Sequence, residues 1–228
     1  MILIEFEKRK INMKDEQGVK DFFSGYAEDF DSIYGDGKPR NLFNKIMDKL
    51  FRKAMYERYK RTIEFLSSTD DVNTILDVGC GSGRYSVDLA RNGMAVTGVD
   101  LAQEMLDIAK KNSHKLGFNK NNFIAGSYFD VEISKKHDAS ILMGLFDYIS
   151  NPGDLFVKLK KDTSKFILAS FPKPGGLLAW QRKIRYNRRN CQLFYYSKAN
   201  IVSLMENAGI EKYEIQDNDR EYFLIAQV

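Results

Sequence analysis

The residues from Ile75 to Gly83 constrain the fold of this chain more than any other stretch. Their sequence, Ile-Leu-Asp-Val-Gly-Cys-Gly-Ser-Gly, begins as an apolar strand, reaches an acid at Asp77 and continues through three alternating glycines into a helical pattern. Glycine allows positive φ and lets a ligand approach the bare backbone, and the N–H groups of a first helical turn face such a ligand. The stretch therefore predicts a strand, a turn and a helix, with a ligand held at the turn.

Strand and helix patterns alternate from residue 73 to residue 171, and the links between them are short. Such alternation favours parallel βαβ units with right-handed crossovers. The last two strands are joined by Asp217-Asn218-Asp219, which suits an antiparallel hairpin. The predicted strands are 73–78, 95–100, 122–126, 138–143, 165–171, 212–216 and 221–228, and the predicted helices are 82–91, 103–116, 152–160 and 198–208, the last of which is N-capped by Ser197.

The N-terminal part has a different texture from the alternating part. Residues 1–13 are weakly patterned, and we expect a disordered lead, with an edge strand or a partner-binding arm as alternatives. Apolar residues recur at helical spacing over 15–34 and again over 41–66, which predicts two amphipathic helices. The sequence thus divides into an N-terminal lead and helical cap, residues 1–68, and a core, residues 69–228, with an insertion at 172–196.

Composition argues against a metal site, a secreted chain and a membrane span. The net charge is only +4, which is too mild to indicate nucleic acid by itself. The two cysteines, Cys80 and Cys191, and the two histidines, His114 and His137, form no metal-ligand spacing, so no metal site is predicted. We find no secretory signal and no apolar run long enough to span a bilayer, so we expect a cytoplasmic chain with reduced thiols. His137 is expected at the surface.

The chemistry of the turn indicates the kind of ligand. A dinucleotide fingerprint that used Gly79 and Gly81 would need a third glycine where this chain has Arg84. The carboxylate of Asp77 would repel a pyrophosphate, but it suits the ammonium group of an amino acid. Asp100 ends the second strand, where a carboxylate can accept hydrogen bonds from a ribose diol. The predicted ligand is a nucleoside that carries an amino-acid tail, and S-adenosylmethionine (SAM) fits that description.

The stretches Leu76–Gly83 and Val96–Asp100 resemble the class I SAM-dependent methyltransferases, and the likeness extends over about residues 70–228. It implies an α/β fold, a Rossmann-like three-layer αβα sandwich. Its mostly parallel seven-stranded sheet would have the order 3-2-1-4-5-7-6, with the last hairpin strand antiparallel. The N-terminal helices are expected to form a cap that folds over the cofactor. The resemblance is looser at the subfamily level, where Gly144–Ile149 and Arg185–Tyr196 are similar to small-molecule O-methyltransferases such as the magnesium-protoporphyrin type.

The resemblance also implies roles for single residues, with SAM as cofactor and S-adenosylhomocysteine (SAH) as product. Asp77 would hold the methionine amino group, Asp100 would bind the ribose, and Met105 would pack on the adenine. The family often has Gly-Asp after the third strand, whereas this chain has Gly126-Ser127-Tyr128, so Ser127 or Tyr128 is expected to contact the adenine through side chain or backbone. The expected cofactor-binding residues are Tyr26, Asp77, Gly79, Cys80, Gly81, Ser82, Gly83, Asp100, Leu101, Met105, Ser127, Tyr128, Met143, Gly144 and Leu145.

Methyl transfer is an in-line displacement in which the protein mainly positions and desolvates the reactants. A hydroxyl acceptor would need a base, for which Asp147 and Tyr148 are the candidates, with helix capping and packing as the alternative. The insertion is basic and aromatic, and Trp180, Arg185, Arg188 and Arg189 are the hypothesised clamp for an anionic small molecule. A solvated helix face and nucleic-acid binding are the alternatives for these residues.

The expected partner is a small, anionic metabolite that accepts the methyl group on an oxygen or a nitrogen, and the chain is expected to be a monomer or homodimer. Two other functions stay open from the sequence alone: an RNA or protein methyltransferase, and a non-catalytic SAM-binding regulator.

Overall fold

The computed structural model describes residues 16–24, 42–118, 121–175, 192–218 and 220–228. Its strands are β1 (Thr74–Val78), β2 (Ala95–Asp100), β3 (Asn122–Ala125), β4 (His137–Leu142), β5 (Thr163–Pro172), β6 (Lys212–Asp217) and β7 (Glu221–Gln227). Its helices are α1 (residues 16–24), α2 (Leu42–Ser68), α3 (Arg84–Arg91), α4 (Gln103–Lys115), α5 (Gly153–Asp162) and α6 (Lys198–Asn207), with a short 3-10 helix at Phe146–Tyr148. The predicted lead and most of the insertion lie outside the described residues.

The strands form one sheet in the order β3-β2-β1-β4-β5-β7-β6, which confirms the predicted order. Neighbours among β1 to β5 pair in parallel, whereas β7 runs antiparallel to both β5 and β6. In an open parallel sheet, ligands bind outside the carboxyl ends of the strands. The residues that follow β1, β2, β3 and β4 share that edge, and the candidate site lies along it.

Helices cover both faces of the sheet because successive side chains of a strand point to opposite faces. In β1, Ile75 packs in the cluster that includes Leu66 of α2 and Leu89 of α3. Leu76, the next residue, belongs to the cluster that includes Phe156 of α5 and residues of α6. The result is the predicted arrangement of three layers, with an apolar core on each side of the sheet.

The long helix α2 runs over 27 residues, close to its predicted bounds of 41–66. Its inner face is buried at Thr62 and Leu66, while Lys60 and Glu64 are exposed and pair with each other at 3.5 Å. Among the residues that the structure describes, none of the helices combines the length and apolar character needed to cross a bilayer.

Two helix starts show how local chemistry sets the boundaries. Ser197 was predicted as an N-cap, and its hydroxyl accepts a hydrogen bond from the Asn200 backbone in a complete capping box. The helix predicted to begin at Ser82 instead begins at Arg84, which corrects the sequence-based boundary. Gly83 has φ of 77°, a left-handed conformation, so the turn continues for one more residue before α3 can start.

Candidate functional site

The glycine turn is held close to its neighbours by the backbone. The N–H group of Gly79 donates to the carbonyl of Val99 at 2.8 Å, which ties the turn to β2. A Cβ atom on Gly83 would lie 2.8 Å from the Cβ of Ala109 in α4, and one on Gly81 would lie 3.2 Å from the Cε of Met105. Side chains at these positions would not fit, so the bare backbone faces the sheet edge.

Asp100 lies between the turn and the start of α4. One carboxylate oxygen accepts a hydrogen bond from the N–H of Gly81 at 2.8 Å, and the other accepts from the N–H of Ala102 at 3.0 Å. Burial raises the pKa of Asp100 above its ordinary value, although these backbone N–H groups act in the opposite direction. The carboxylate is therefore fixed at the carboxyl end of β2, with lone pairs left for further donors.

Asp77 is the second carboxylate beside the turn. Its side chain is buried at 2% exposure, and one oxygen accepts a hydrogen bond from the Ser86 hydroxyl at 2.7 Å. Burial raises the pKa of Asp77 to about 7, and the charge of Asp100 acts in the same direction. Two acids thus share this small region, and a cation would lower the electrostatic cost of ionising both.

The residues after β4 form the facing wall of the turn. A Cβ atom on Gly79 would lie 2.9 Å from the Cδ1 of Leu145, so Leu145 packs directly over the turn. The N–H of Gly144 donates to the Ser170 hydroxyl at 2.9 Å, and the Met143 sulfur accepts from Thr62 at 3.6 Å. These contacts place Met143, Gly144 and Leu145 at the same sheet edge as Asp77.

The two candidate bases occupy the 3-10 helix that follows β4. Asp147 is only 7% exposed, and its backbone carbonyl accepts a hydrogen bond from the N–H of Phe194 at 2.9 Å. The ring of Tyr148 packs edge-to-face against Phe23, with ring centroids 5.3 Å apart. Both residues are therefore held by packing, and the role of either as a base stays a prediction.

Helix α1 lies across the carboxyl ends of the strands. A Glu16 carboxylate oxygen accepts a hydrogen bond from the Ser127 hydroxyl, after β3, at 2.8 Å. Phe23 packs against Met105 of α4 and against Tyr148. The sequence predicted that the N-terminal helices cover this edge, but it did not single out Glu16 or Phe23.

Comparison with known proteins gives the site its context. A profile of the methyltransferase-domain family matches residues 75–161, which include the whole glycine turn and Asp100. The ubiquinone biosynthesis O-methyltransferase of Coxiella burnetii is 28% identical over 167 residues, or 73% of this chain and 61% of that protein. The protein of the same name from Agrobacterium fabrum is 26% identical over 199 residues, or 87% of this chain and 75% of that protein. The chain thus spans about three fifths of the length of the Coxiella relative.

A solved structure shares the fold. Magnesium protoporphyrin IX methyltransferase from Synechocystis PCC 6803, crystallised with bound SAH, aligns over 93% of this chain and 99% of that chain, with a TM-score of 0.73 at 20% identity. The chain is therefore similar to the class I SAM-dependent methyltransferases in its matching domain, residues 75–161, and in its fold.

Ser127 or Tyr128 was expected to contact the adenine through side chain or backbone, and the structure limits what Tyr128 can offer. The ring of Tyr128 is buried among core residues, and its hydroxyl donates to Asp162 at 2.7 Å. The reason is that the described connection between β3 and β4, residues 126–136, contains no helix, so Tyr128 itself covers that face of the sheet. The Tyr128 side chain is committed to the core, and only its backbone is left for a ligand.

The remaining predicted residues fall into two groups. Cys80 and Ser82 are buried in the turn, and Leu101 is half-buried directly after β2. Burial raises the pKa of the Cys80 thiol well above its ordinary value, so packing in a protonated form is its role here. The other predicted residues lie outside the part of the chain that the structure describes: Tyr26, Trp180, Arg185, Arg188 and Arg189.

Proposed function

We propose that this chain is a methyltransferase that binds SAM at the glycine turn and transfers its methyl group to an oxygen of a small, anionic molecule. The observation that carries the proposal is a buried carboxylate, Asp77, and a half-buried one, Asp100, on neighbouring strand ends beside a turn whose three glycines have no room for a Cβ atom without displacing a neighbour. The division into a helical cap, residues 1–68, and a core, residues 69–228, is part of the same proposal.

The charge of the pair selects the ligand. A diphosphate would bring further negative charge to two carboxylates that burial already penalises. The ammonium group of an amino acid beside Asp77 would offset that penalty. Asp100, at the end of the next strand, would accept hydrogen bonds from the ribose hydroxyls. A nucleoside with a cationic amino-acid tail satisfies both acids, and SAM is such a molecule.

The residues of the chain would bind, orient and exclude water. Bound at this turn, SAM supplies an electrophilic methyl group. Gly144 and Leu145 would line the methyl-donor end, while the insertion at 172–196 would hold the acceptor through Trp180, Arg185, Arg188 and Arg189. The O-methyltransferase names of the curated relatives support an oxygen acceptor, and the basic insertion supports an anionic one. Asp147 or Tyr148 would take the proton of a hydroxyl acceptor; a carboxylate acceptor would need no base.

Loss of the Asp100 carboxylate is expected to abolish tight cofactor binding. Asp100→Ala should weaken SAM and SAH by about 100-fold, because two charge-assisted hydrogen bonds of about 1.5 kcal/mol each are lost. Isothermal titration calorimetry on the full chain measures this directly. Asp107 is an exposed acid of α4, the helix that follows Asp100, so Asp107→Ala is the matched control and should bind as the wild type does. Preferential binding of NAD by the wild type would overturn the proposed function.

Binding of SAM is expected to depend on the ionisation of Asp77. Its folded pKa of about 7 exceeds its ordinary value of 3.8, so Asp77 costs the apo chain stability as pH rises from about 4 to 7. An ammonium partner favours the ionised form, so SAM binding below pH 7 should release a proton, and affinity should fall by about tenfold between pH 7.5 and pH 6. Above about pH 8 the ammonium group itself is lost, and affinity should fall again.

Calorimetry in buffers of different ionisation enthalpy counts the released proton. Asp100 borders the same turn and has a raised pKa as well, so a variant is needed to separate the two acids. Asp77→Asn should bind SAM weakly, and its affinity should not rise between pH 6 and pH 7.5. If the variant keeps the wild-type pH profile, Asp77 is not the group that meets the ammonium.

A further inference from the structure

A carboxylate from the N-terminal helix reaches the segment after β3. Glu16 and Ser127 are 111 residues apart in sequence, yet their side chains are hydrogen-bonded at 2.8 Å. Glu16 is half-buried, and burial raises its pKa, with the Asp130 carboxylate acting in the same direction. A desolvated acid placed near a second carboxylate gains from a donor beyond one serine hydroxyl.

The strand order fixes where the base of a bound nucleoside would lie. If Asp77 at the end of β1 meets the amino-acid tail and Asp100 at the end of β2 meets the ribose, the base continues away from β1, toward β3. The N–H of Gly126, directly after β3, donates to the Asp100 carbonyl at 2.9 Å, so this segment adjoins the ribose position. Ser127 follows Gly126, and Glu16 contacts Ser127.

An apolar surface lies two helical turns along α1 from this acid. Phe23 packs against Ala102 and Met105 at the start of α4. A flat aromatic base favours apolar contact on its face and hydrogen bonds at its edge. The exocyclic amine of adenine is a donor, and a carboxylate is an acceptor only, so the edge of the base and the oxygens of Glu16 are complementary.

We propose that Glu16 is the residue that recognises the adenine of the cofactor, by accepting a hydrogen bond from its exocyclic amine while the Ser127 hydroxyl orients the carboxylate. The inference rests on the proposed function and names the specificity determinant of that same site. It accounts for the departure from the Gly-Asp pattern after β3, because the acid is supplied by α1 instead. A base with a carbonyl oxygen in place of the amine would place one hydrogen-bond acceptor against another, so the site would bind it less tightly.

Calorimetry with SAH and S-inosylhomocysteine tests the proposal. The second ligand has a carbonyl oxygen in place of the exocyclic amine, and the adjacent ring nitrogen carries a proton. The wild type should prefer SAH by about 100-fold or more. Glu16→Ala should weaken SAH by about 10- to 100-fold and leave S-inosylhomocysteine nearly unchanged, so that the preference for SAH falls by the same factor. Glu16→Gln keeps the volume and can either accept or donate, so it should bind the two ligands with similar affinity.

Asp21→Asn is the matched control, because Asp21 is an exposed acid of the same helix that is bonded to Gln17. It should retain wild-type affinity and preference. Unchanged preference in Glu16→Ala would overturn the proposal, since the base would then be read by other groups. Tighter SAH binding by Glu16→Ala would also overturn it, because the Glu16–Ser127 bond would then close the site against the cofactor. If the wild type binds neither ligand, the proposed function is wrong. If the wild type binds SAH but the Glu16 variants do not show the expected change of preference, only the role of Glu16 is wrong.

Discussion

Gly83→Ala is expected to lower the free energy of unfolding by about 2–5 kcal/mol, as measured by urea denaturation followed by circular dichroism. Two physical effects add. The native φ of 77° is a left-handed conformation that costs an alanine about 1 kcal/mol or more. The new methyl group would also lie 2.8 Å from the Cβ and 3.2 Å from the Cα of Ala109, so either the turn or α4 must move.

Gly93→Ala separates the two effects. Gly93 has φ of +86°, but a Cβ atom there would meet nothing within 4 Å. Only the conformational cost applies, so the expected loss is about 1 kcal/mol. Equal losses in the two variants would mean that the close approach of the turn to α4 does not contribute to stability. A larger loss in Gly83→Ala would assign the difference to that approach.

The sheet and the turn could be predicted from the sequence because their signals are local. Buried strands such as Ala95–Asp100 appear as short apolar runs with an acid at the carboxyl end, and the structure has this strand at the predicted bounds. The Ser197 cap is likewise encoded within four residues. The order of the strands came from the resemblance to a known family, because pairing between distant strands leaves no pattern in a single sequence.

Contacts between distant segments could not be predicted. Glu16 and Ser127 each have an ordinary local environment in the sequence, and only the fold brings them together. The sequence did carry a signal, since the acid that the family often has after β3 is missing here and another segment could supply it. His137 shows the opposite error: it was expected at the surface, but β4 begins at His137 itself, and the half-buried ring lies 2.9 Å from the Thr97 hydroxyl. Position at the first residue of a strand does not imply exposure.

Arg58 of α2 is the centre of a polar network that spans the sheet edge. Its guanidinium lies 2.9 Å from the Glu221 carboxylate at the start of β7, and the two side chains are only 12% and 11% exposed. It also donates to the Ser170 hydroxyl at 3.2 Å, and that oxygen in turn accepts from the N–H of Gly144. The network connects the N-terminal cap with the residues after β4 that line the proposed methyl-donor end.

Arg58→Ala is therefore expected to lower the free energy of unfolding by about 3–5 kcal/mol, because it leaves the Glu221 carboxylate buried without its guanidinium. The free energy of unfolding of a typical domain is about 5–15 kcal/mol, so a loss of this size is a large share of it. Arg58→Lys should recover only part of it, since an ammonium group keeps the charge but not the forked geometry.

Lys60→Ala is the matched control on the same helix, because its pair with Glu64 is exposed at 58% and 62%. That variant should change the free energy of unfolding by about 0.5 kcal/mol or less in urea denaturation. Equal effects of Arg58→Ala and Lys60→Ala would show that the buried network adds nothing beyond a surface ion pair. If Arg58→Ala lowers the free energy of unfolding more than Lys60→Ala does, the network that includes Ser170 also holds Gly144 in place. The Arg58→Ala chain that remains folded in dilute buffer should then bind SAH more weakly than Lys60→Ala does, because it loses the Arg58–Ser170 bond that supports the position of Gly144.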